Sequence, residues 1–302
     1  MAKKVLIIDE VHPSLAADLR SLGFEVDEQP QIHPNEVQLA GYQGLVLRSK
    51  MSLGAKELEG STLEFIARAG AGLDLIDEAY CSANQIAVFS ANEGNRDAVA
   101  EHVIGQLITL ARKINTADTQ VRHGIWDREG NRGWELQGKT LGIIGYGNMG
   151  QSLAKKLQGF DMNILAYDKY APATHALKDI FEQADILSLH VPLTDETKEM
   201  VNSAFIEQFK KPIVLINSSR GTVCSLEALA AGLSSSKLRG LALDVLPNEK
   251  LATWTATEKT LFDQIASHPM TLFSPHVAGW TTESYWKIND ALIDKIKTHY
   301  QL

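Results

Sequence analysis

The sequence predicts an α/β protein with two doubly wound parallel sheets. Short apolar runs alternate with helical patterns along the chain, and one glycine-rich turn joins such a run to a helix. Strands that alternate with helices form parallel sheets covered by helices on both faces. With 302 residues, the chain is long for one domain. We therefore expect about two domains.

The composition is that of an ordinary globular protein and argues against several classes. Hydrophobic residues make up 44% of the chain and charged residues 22%, so disorder is not expected. The formal net charge of −8 argues against nucleic acid as the main partner. Neither a signal peptide nor an apolar run of membrane-spanning length stands out, and Cys81 and Cys224 are too few for a disulfide scaffold or a zinc site. We expect a cytoplasmic protein that binds no membrane, no nucleic acid and no metal.

The stretch from 140 to 168 predicts a dinucleotide-binding unit. An apolar run ends in the turn Gly-Tyr-Gly-Asn-Met-Gly, a helical pattern follows, and a second apolar run ends in an acid. Gly145 permits the tight turn, Gly147 lets the backbone approach a pyrophosphate, and Gly150 lets the helix pack closely on the strand. The N–H groups at the start of the helix favour phosphate charge.

The acid at the end of this stretch, Asp168, decides the predicted cofactor. It lies about 20 residues after the glycines, where a carboxylate accepts hydrogen bonds from the ribose hydroxyls. A 2′-phosphate beside this carboxylate would be repelled, so NAD is favoured over NADP. The neighbouring Lys169 would soften that preference.

The first domain is expected to be discontinuous in sequence. Residues 92–95 resemble a loop or hinge, and residues 97–123 form a long helical pattern that would link two domains. The last helix, from Thr281, has no strand after it and is expected to return to the first domain. We predict an outer, substrate-binding domain of residues 1–94 with 281–302, and an NAD-binding domain of residues 95–280.

Three strand-like runs in the second half of the chain lead to ionisable side chains. Arg220 and His276 each follow one such run, and Glu249 lies in the loop after a third. Ligands of open α/β sheets bind outside the carboxyl ends of the strands. Hydride transfer to a ketone needs a cation that orients the substrate, an acid that protonates the forming alkoxide, and a partner for that acid. Arg220, His276 and Glu249 fit these roles, although each also fits a turn, cap or loop.

These motifs together resemble the D-isomer-specific 2-hydroxyacid dehydrogenases, and among them the short form of the phosphoglycerate dehydrogenase branch. The resemblance covers nearly the whole chain. Five motifs occur in the family's order, at residues 68–74, 188–194, 217–221, 243–249 and 274–279. The resemblance implies a flavodoxin-like outer domain, a Rossmann NAD-binding domain, and a homodimer formed through the NAD-binding domain.

The resemblance also implies a role for each candidate residue. His276 would protonate the keto oxygen, Glu249 would pair with it, and Arg220 would bind the substrate carboxylate. The loop of Gly70, Ala71 and Gly72 would also hold that carboxylate. The cofactor site would be lined by Gly145, Tyr146, Gly147, Asn148, Met149, Gly150, Asp168, His190, Val191, Pro192, Ser218, Ser219, Asp244 and Gly279. Asp244 would lie at the nicotinamide amide.

The identity of the 2-hydroxy acid is the open question. Arg48, Lys50 and Arg68, with Ser49 between the first two, suit a phosphate at the far end of the substrate. The first hypothesis is therefore D-3-phosphoglycerate dehydrogenase, an enzyme of serine biosynthesis. The alternative is a reductase of glyoxylate, hydroxypyruvate or another 2-keto acid, which would use the same catalytic residues without that cluster. An NAD(H)-sensing, corepressor-like binding protein is the alternative of another class, but it would not need all three catalytic residues.

Three features depart from the family pattern. Lys250 stands where proline is usual, residues 251–268 are longer than in typical members, and the bulky Trp280 follows the histidine motif where small residues are common. The catalytic residues are intact, so these differences concern the shape of the pocket. No regulatory domain is expected after the last helix.

Overall fold

Parallel strands form two sheets in the computed structural model, which describes residues 2–171 and 175–302. The sheets belong to two units, one of residues 1–96 with 280–302 and one of residues 97–279. Each unit is an α/β layer structure with its own apolar core. The predicted fold class, an α/β protein with two parallel-sheet domains, is confirmed.

The first unit contains a five-stranded sheet. Its strands are β1 (Lys4–Ile7), β2 (Glu25–Glu28), β3 (Gly44–Leu47), β4 (Phe65–Arg68) and β5 (Ala87–Ser90). Its helices are α1 (Ser14–Ser21), α2 (Ala55–Leu58), α3 (Glu78–Ala83) and α11 (Thr282–Tyr300). The strands pair in the order β2-β1-β3-β4-β5, so the order reverses between β1 and β3.

Alternation along β1 explains how this sheet is covered on both faces. Val5 and Ile7 pack with the apolar residues of α1 and α11, whereas Leu6 lies in the cluster that includes residues of α2 and α3. Successive side chains of a strand point to opposite faces, so a continuous apolar run suits a strand buried on both. The last helix contributes Leu292 and Ile296, both fully buried, to the core of this unit.

The second unit contains a six-stranded sheet. Its strands are β6 (Thr140–Ile144), β7 (Asn163–Tyr167), β8 (Ile186–Leu189), β9 (Ile213–Asn217), β10 (Leu238–Leu243) and β11 (Thr271–Phe273). The helices from the end of the first unit onward are α4 (Asn92–Arg112), α5 (Ile114–Arg122), α6 (Asn148–Lys156), α7 (Leu177–Gln183), α8 (Ser203–Glu207), α9 (Leu226–Ser234) and α10 (Ala256–Ala266). The strand order is β11-β10-β9-β8-β6-β7, which reverses between β6 and β8. Open α/β sheets bind ligands at such a reversal.

Two local predictions around α4 are wrong. Residues 92–95 form its first turn rather than a hinge. The glycine at position 94 serves close packing, because a Cβ there would lie 2.6 Å from the backbone nitrogen of Ile288. The pattern from 97 to 123 is divided into two helices, because Lys113 adopts a left-handed backbone with φ 53° between α4 and α5.

The long segment 251–268 folds into helix α10, which was not predicted. Thr255 and Glu258 form a capping box in which the Thr255 hydroxyl accepts from the backbone N–H of Glu258 at 3.2 Å and the Glu258 carboxylate accepts from that of Thr255 at 2.7 Å. This Thr-x-x-Glu spacing is a sequence signal for a helix start. Among the described helices, none has both the length and the hydropathy that crossing a bilayer requires.

Candidate active site

Three adjacent strands of the second unit lead to the predicted catalytic residues. Arg220 follows β9, Glu249 lies in the loop after β10, and His276 follows β11. Because parallel strands share one carboxyl edge, these loops lie side by side. A Cβ on Gly221 would lie 1.9 Å from the carbonyl carbon of Leu246, so the Arg220 loop packs directly against the loop that leads to Glu249.

His276 and Glu249 form a hydrogen-bonded pair. Nδ1 of His276 lies 2.9 Å from Oε1 and 3.0 Å from Oε2 of Glu249. Their side chains are 48% and 47% exposed, so both groups are accessible to a ligand. A carboxylate at Nδ1 places the proton on that nitrogen and orients the ring. The remaining nitrogen, Nε2, can then give or take a proton.

The loop that carries His276 is held by the buried carboxylate of Asp244. One carboxylate oxygen accepts from the Ser274 hydroxyl at 2.6 Å and from the N–H of Val277 at 3.0 Å, and the other accepts from the N–H of Ala278 at 2.9 Å. His276 itself has a left-handed backbone, with φ 56°. A non-glycine residue keeps this conformation only where its surroundings hold it. Asp244 therefore supports the histidine loop, and the nicotinamide contact expected for it stays a prediction.

The turn that carries Arg220 is fixed by Asn217, which is fully buried. The Asn217 amide donates to the backbone oxygen of Arg220 at 3.0 Å, and its oxygen accepts from the Ser219 N–H at 3.0 Å and hydroxyl at 2.8 Å. Nη1 of Arg220 donates to the Ser219 carbonyl at 2.7 Å. The guanidinium is partly exposed and offers the forked donor geometry that matches a carboxylate.

The glycine turn lies where the strand order reverses between β6 and β8. Gly145 has φ 95°, and a Cβ there would lie 2.5 Å from the carbonyl oxygen of His190 at the end of β8. At Gly147, by contrast, a Cβ would meet no atom within 4 Å. Helix α6 begins at the next residue without a side-chain cap. The open space and the uncapped N–H groups fit a pyrophosphate.

The other predicted cofactor residues lie at the same carboxyl edge. Asp168 follows β7, and its two oxygens accept from the N–H groups of Tyr146 at 2.7 Å and Tyr170 at 2.9 Å. His190, Val191 and Pro192 follow β8, and Ser218 and Ser219 follow β9. Asn148, Met149 and Gly150 form the start of α6, and Gly279 is the last residue of the unit. These positions are compatible with a dinucleotide bound along the edge.

In the first unit, the predicted substrate residues follow β3 and β4. Asp9, just after β1, accepts the N–H groups of Arg48, Ser49 and Lys50 at 2.6, 2.9 and 3.0 Å. Nε of Arg68 donates to the Arg48 carbonyl at 3.1 Å. The segment 48–50 is thus fixed from both neighbouring strands. The Arg68 guanidinium covers the backbone that leads into the loop of Ala71 and Gly72, since a Cβ on Gly70 would lie 1.8 Å from its Nη1.

The three predicted phosphate-binding cations have different surroundings. The Arg48 guanidinium lies 3.9 Å from the ring centroid of Trp280. The Lys50 ammonium donates to the carbonyls of Pro30 at 2.5 Å and Ile32 at 3.3 Å. Lys50 is therefore directed to the loop after β2, and the cationic cluster reduces to Arg48 and Arg68.

Two further residues contact the site and do not stand out in the sequence as functional. His102 and Gln106 of α4 lie 2.9 and 3.2 Å from the Ser274 hydroxyl. Their i, i+4 spacing beside the apolar positions of this helix was the available signal. Within residues 2–171 and 175–302, no group of three or more His, Cys, Asp or Glu side chains is arranged to hold a metal ion.

Comparison with known proteins relates this arrangement to a family. Residues 104–278 match the family described as D-isomer specific 2-hydroxyacid dehydrogenase, NAD binding domain. The hydroxypyruvate reductase of Thermotoga maritima is 34% identical over 286 residues, which cover 92% of this chain and 90% of that protein. D-3-phosphoglycerate dehydrogenase 2 of Saccharomyces cerevisiae is 30% identical over 302 residues, which cover 93% of this chain but only 63% of that protein.

A solved structure supports the fold. The D-lactate dehydrogenase of Aquifex aeolicus, complexed with NAD and lactic acid, superposes with a TM-score of 0.84 over 99% of this chain and 96% of that chain, at 23% identity. At this identity the likeness concerns the fold alone. The family match and the Thermotoga relative establish membership: the chain belongs to the D-isomer-specific 2-hydroxyacid dehydrogenases and is a nicotinamide-dependent oxidoreductase.

Proposed function

We propose that the protein interconverts a 2-keto acid and a D-2-hydroxy acid, with His276 as the acid–base residue. The observation that carries this proposal is the His276–Glu249 pair on a loop edge shared with Arg220. When bound, the nicotinamide supplies or accepts the hydride. In reduction, Nε2 of His276 donates its proton to the carbonyl oxygen, and Glu249 orients the ring through its hydrogen bond with Nδ1. Arg220 binds the carboxylate and orients the carbonyl.

We propose NAD rather than NADP as the cofactor. The Asp168 carboxylate at the end of β7 would repel a 2′-phosphate. Lys169, the neighbouring cation that would soften this preference, lies 2.6 Å from Oε2 of Glu196. This partner carboxylate neutralises the one positive charge adjacent to Asp168 in sequence.

For the substrate we propose 3-phosphoglycerate, with 3-phosphohydroxypyruvate as the keto acid, which would place the protein in serine biosynthesis. The supporting observation is the pair of arginines at adjacent strand ends. The Arg48 guanidinium carbon lies 3.9 Å from the ring centroid of Trp280, and this cation–π contact helps to hold the guanidinium in place. A fixed guanidinium is suited to a phosphate.

Reduction of hydroxypyruvate or glyoxylate is the second candidate. It is favoured by the position of Lys50, whose ammonium donates to two backbone carbonyls. Only Arg48 and Arg68 then remain to bind a phosphate. The hydroxypyruvate reductase of Thermotoga maritima, similar along 90% of its length, supports the same candidate.

Steady-state NADH oxidation with the two keto acids, phosphorylated and unphosphorylated, separates these candidates. If Arg48 binds phosphate, Arg48→Gln lowers kcat/KM for 3-phosphohydroxypyruvate by roughly 10- to 100-fold relative to hydroxypyruvate. Lys56→Gln, which removes an exposed cation of α2, serves as the matched control and leaves the ratio unchanged. If the unphosphorylated acid is preferred and Arg48→Gln leaves the ratio unchanged, the second candidate holds.

We also propose a homodimer formed through the second unit. Apolar side chains on and after α5 are exposed: Ile114 by 46%, Val121 by 52%, Ile125 by 51% and Trp126 by 80%. Grouped exposed apolar residues mark association surfaces. Size-exclusion chromatography with light scattering should give twice the chain mass, and Val121→Glu with Trp126→Glu should give the monomer. A monomeric wild-type protein would exclude this interface.

A further inference from the structure

Two polar side chains of α4 converge on Ser274, at the start of the loop that carries His276. Nε2 of His102 lies 2.9 Å from the Ser274 hydroxyl oxygen, and Nε2 of Gln106 lies 3.2 Å from it. Gln106 is buried, with 4% exposure, whereas the other buried positions of α4 are apolar. The side chain of His102 is 26% exposed, and its Nε2 also lies 3.6 Å from Oδ1 of Asp244. A polar side chain is costly to bury unless it is hydrogen-bonded, and Ser274 is the partner that Gln106 reaches.

The hydrogen atoms in this cluster can be assigned from donor and acceptor capacity. The Ser274 oxygen lies 2.6 Å from Oδ1 of Asp244, and an ionised carboxylate only accepts, so the single hydroxyl hydrogen lies on that bond. The two lone pairs of Ser274 must then accept from His102 and Gln106. His102 therefore carries its proton on Nε2.

These bonds determine the orientation of the Asp244 carboxylate. Asp244 is 1% exposed, and its oxygens accept from Val277 and Ala278, the two residues after His276. Ser274 provides the third bond to the carboxylate, and α4 holds Ser274 by two donors. The sequence of contacts thus runs from α4 through Ser274 and Asp244 to the backbone on both sides of His276.

We propose that His102 and Gln106 are positioning residues for His276, acting through Ser274 and Asp244. His276 has a left-handed backbone, and its ring must reach both Glu249 and the substrate. Donors from a long helix fix the loop more firmly than loop residues do. The proposal rests on His276 being the acid–base residue, and it extends that function to a helix with no predicted catalytic residue.

Paired substitutions separate this role from simple stabilisation. His102→Gln retains a side-chain donor near the Nε2 position, whereas His102→Leu removes the donor at similar volume. We expect His102→Leu to lower kcat for keto-acid reduction roughly tenfold or more, because small displacements of a reacting group are costly. His102→Gln should stay within about threefold of wild type, since the donor is retained. NADH affinity should be unchanged in both.

The deuterium isotope effect on kcat with 4-deuterated NADH is the decisive readout. A misplaced His276 slows the chemical step, so the isotope effect should increase in His102→Leu. A variant that merely contains less folded protein loses apparent kcat with an unchanged isotope effect, which would overturn the proposal. Equal losses in His102→Gln and His102→Leu would also overturn it. If His102→Leu does not fold, Gln106→Met removes the second donor and is measured in the same way.

A nitrogen-15 NMR spectrum of the histidine rings tests the network without turnover. We expect His102 to be the Nε2–H tautomer. We expect the substitution Ser274→Ala to shift the ring nitrogen resonances of both His102 and His276. An Nδ1–H tautomer of neutral His102 would contradict the assignment. Absence of wild-type turnover with any 2-keto acid, combined with the expected spectrum, would refute the proposed activity and leave the network standing.

Discussion

Nδ1 of His276 lies 2.9 Å from Oε1 of Glu249, although the two residues are 27 positions apart in the chain. The parallel pairing of β10 with β11, in which Leu243 is opposite Phe273, brings their loops together. The His276–Glu249 pair is therefore a product of sheet register. A shift of either strand would separate the two side chains.

Replacement of Glu249 by Gln should lower kcat for keto-acid reduction roughly tenfold, whereas NADH affinity should be unchanged. The amide oxygen still accepts from Nδ1, but the hydrogen bond is no longer charge-assisted and holds the ring less firmly. Steady-state kinetics and fluorescence titration with NADH measure the two quantities. Wild-type kcat in the variant would show that the charge of Glu249 contributes nothing to the step.

Replacement of Asp168 by Ala should weaken NADH binding and narrow the preference over NADPH. The variant loses the acceptor for the ribose hydroxyls and the charge that repels a 2′-phosphate. We expect the ratio of the two dissociation constants to change roughly 10- to 100-fold, as measured by fluorescence titration. Asp195→Ala, which removes another acid on the loop after β8, is the control. An unchanged ratio would show that another residue selects the cofactor.

His190 should make the folded protein less stable in mild acid. Burial lowers the pKa of His190 to about 4, whereas a histidine in the unfolded chain titrates near 6.5. Between about pH 6.5 and 4 the unfolded chain binds a proton that the folded chain does not, so the free energy of unfolding decreases as the pH falls. Above this window both states are neutral, and the residue adds no pH dependence.

Urea denaturation near pH 7.5 and pH 5 tests this prediction with His190→Gln. The variant should lose less unfolding free energy on acidification than wild type does, because it has no imidazole to titrate. His33→Gln, at an exposed position of the first unit, provides the control and should follow wild type. Identical losses in wild type and His190→Gln would mean that the imidazole is charged in the folded state.

Local signals in the sequence were sufficient for most of the strands and for the glycine turn between β6 and α6. The apolar runs and the glycines at 145, 147 and 150 each act within a few residues of their own position. Strands β2 and β5 were not predicted, because both are edge strands without a fully buried residue. The loops of the proposed catalytic residues were predictable, since each follows a strand-like run. The capping box of Thr255 and Glu258 is a sequence signal for α10, a helix that was not predicted.

Contacts that depend on the packing of distant segments were not predictable. The direction of the Lys50 side chain depends on where the loop after β2 places the carbonyls of Pro30 and Ile32. The roles of His102 and Gln106 depend on the position of Ser274, more than 160 residues away in the chain. In a helical pattern, isolated polar residues that make buried contacts cannot be distinguished from polar residues on a solvent-exposed face. The left-handed backbone at His276 was likewise not predictable, because no glycine at that position indicates it.

The most direct test is NADH oxidation by the purified protein and its His276→Ala variant, with 3-phosphohydroxypyruvate, hydroxypyruvate and glyoxylate. We expect wild type to reduce at least one of these acids, and the variant to lose about 10²- to 10⁴-fold in kcat while NADH affinity is retained. His33→Ala, at an exposed histidine, should behave as wild type. No wild-type turnover with any of the acids, or full turnover in His276→Ala, would contradict His276 as the acid–base residue of a 2-hydroxyacid dehydrogenase.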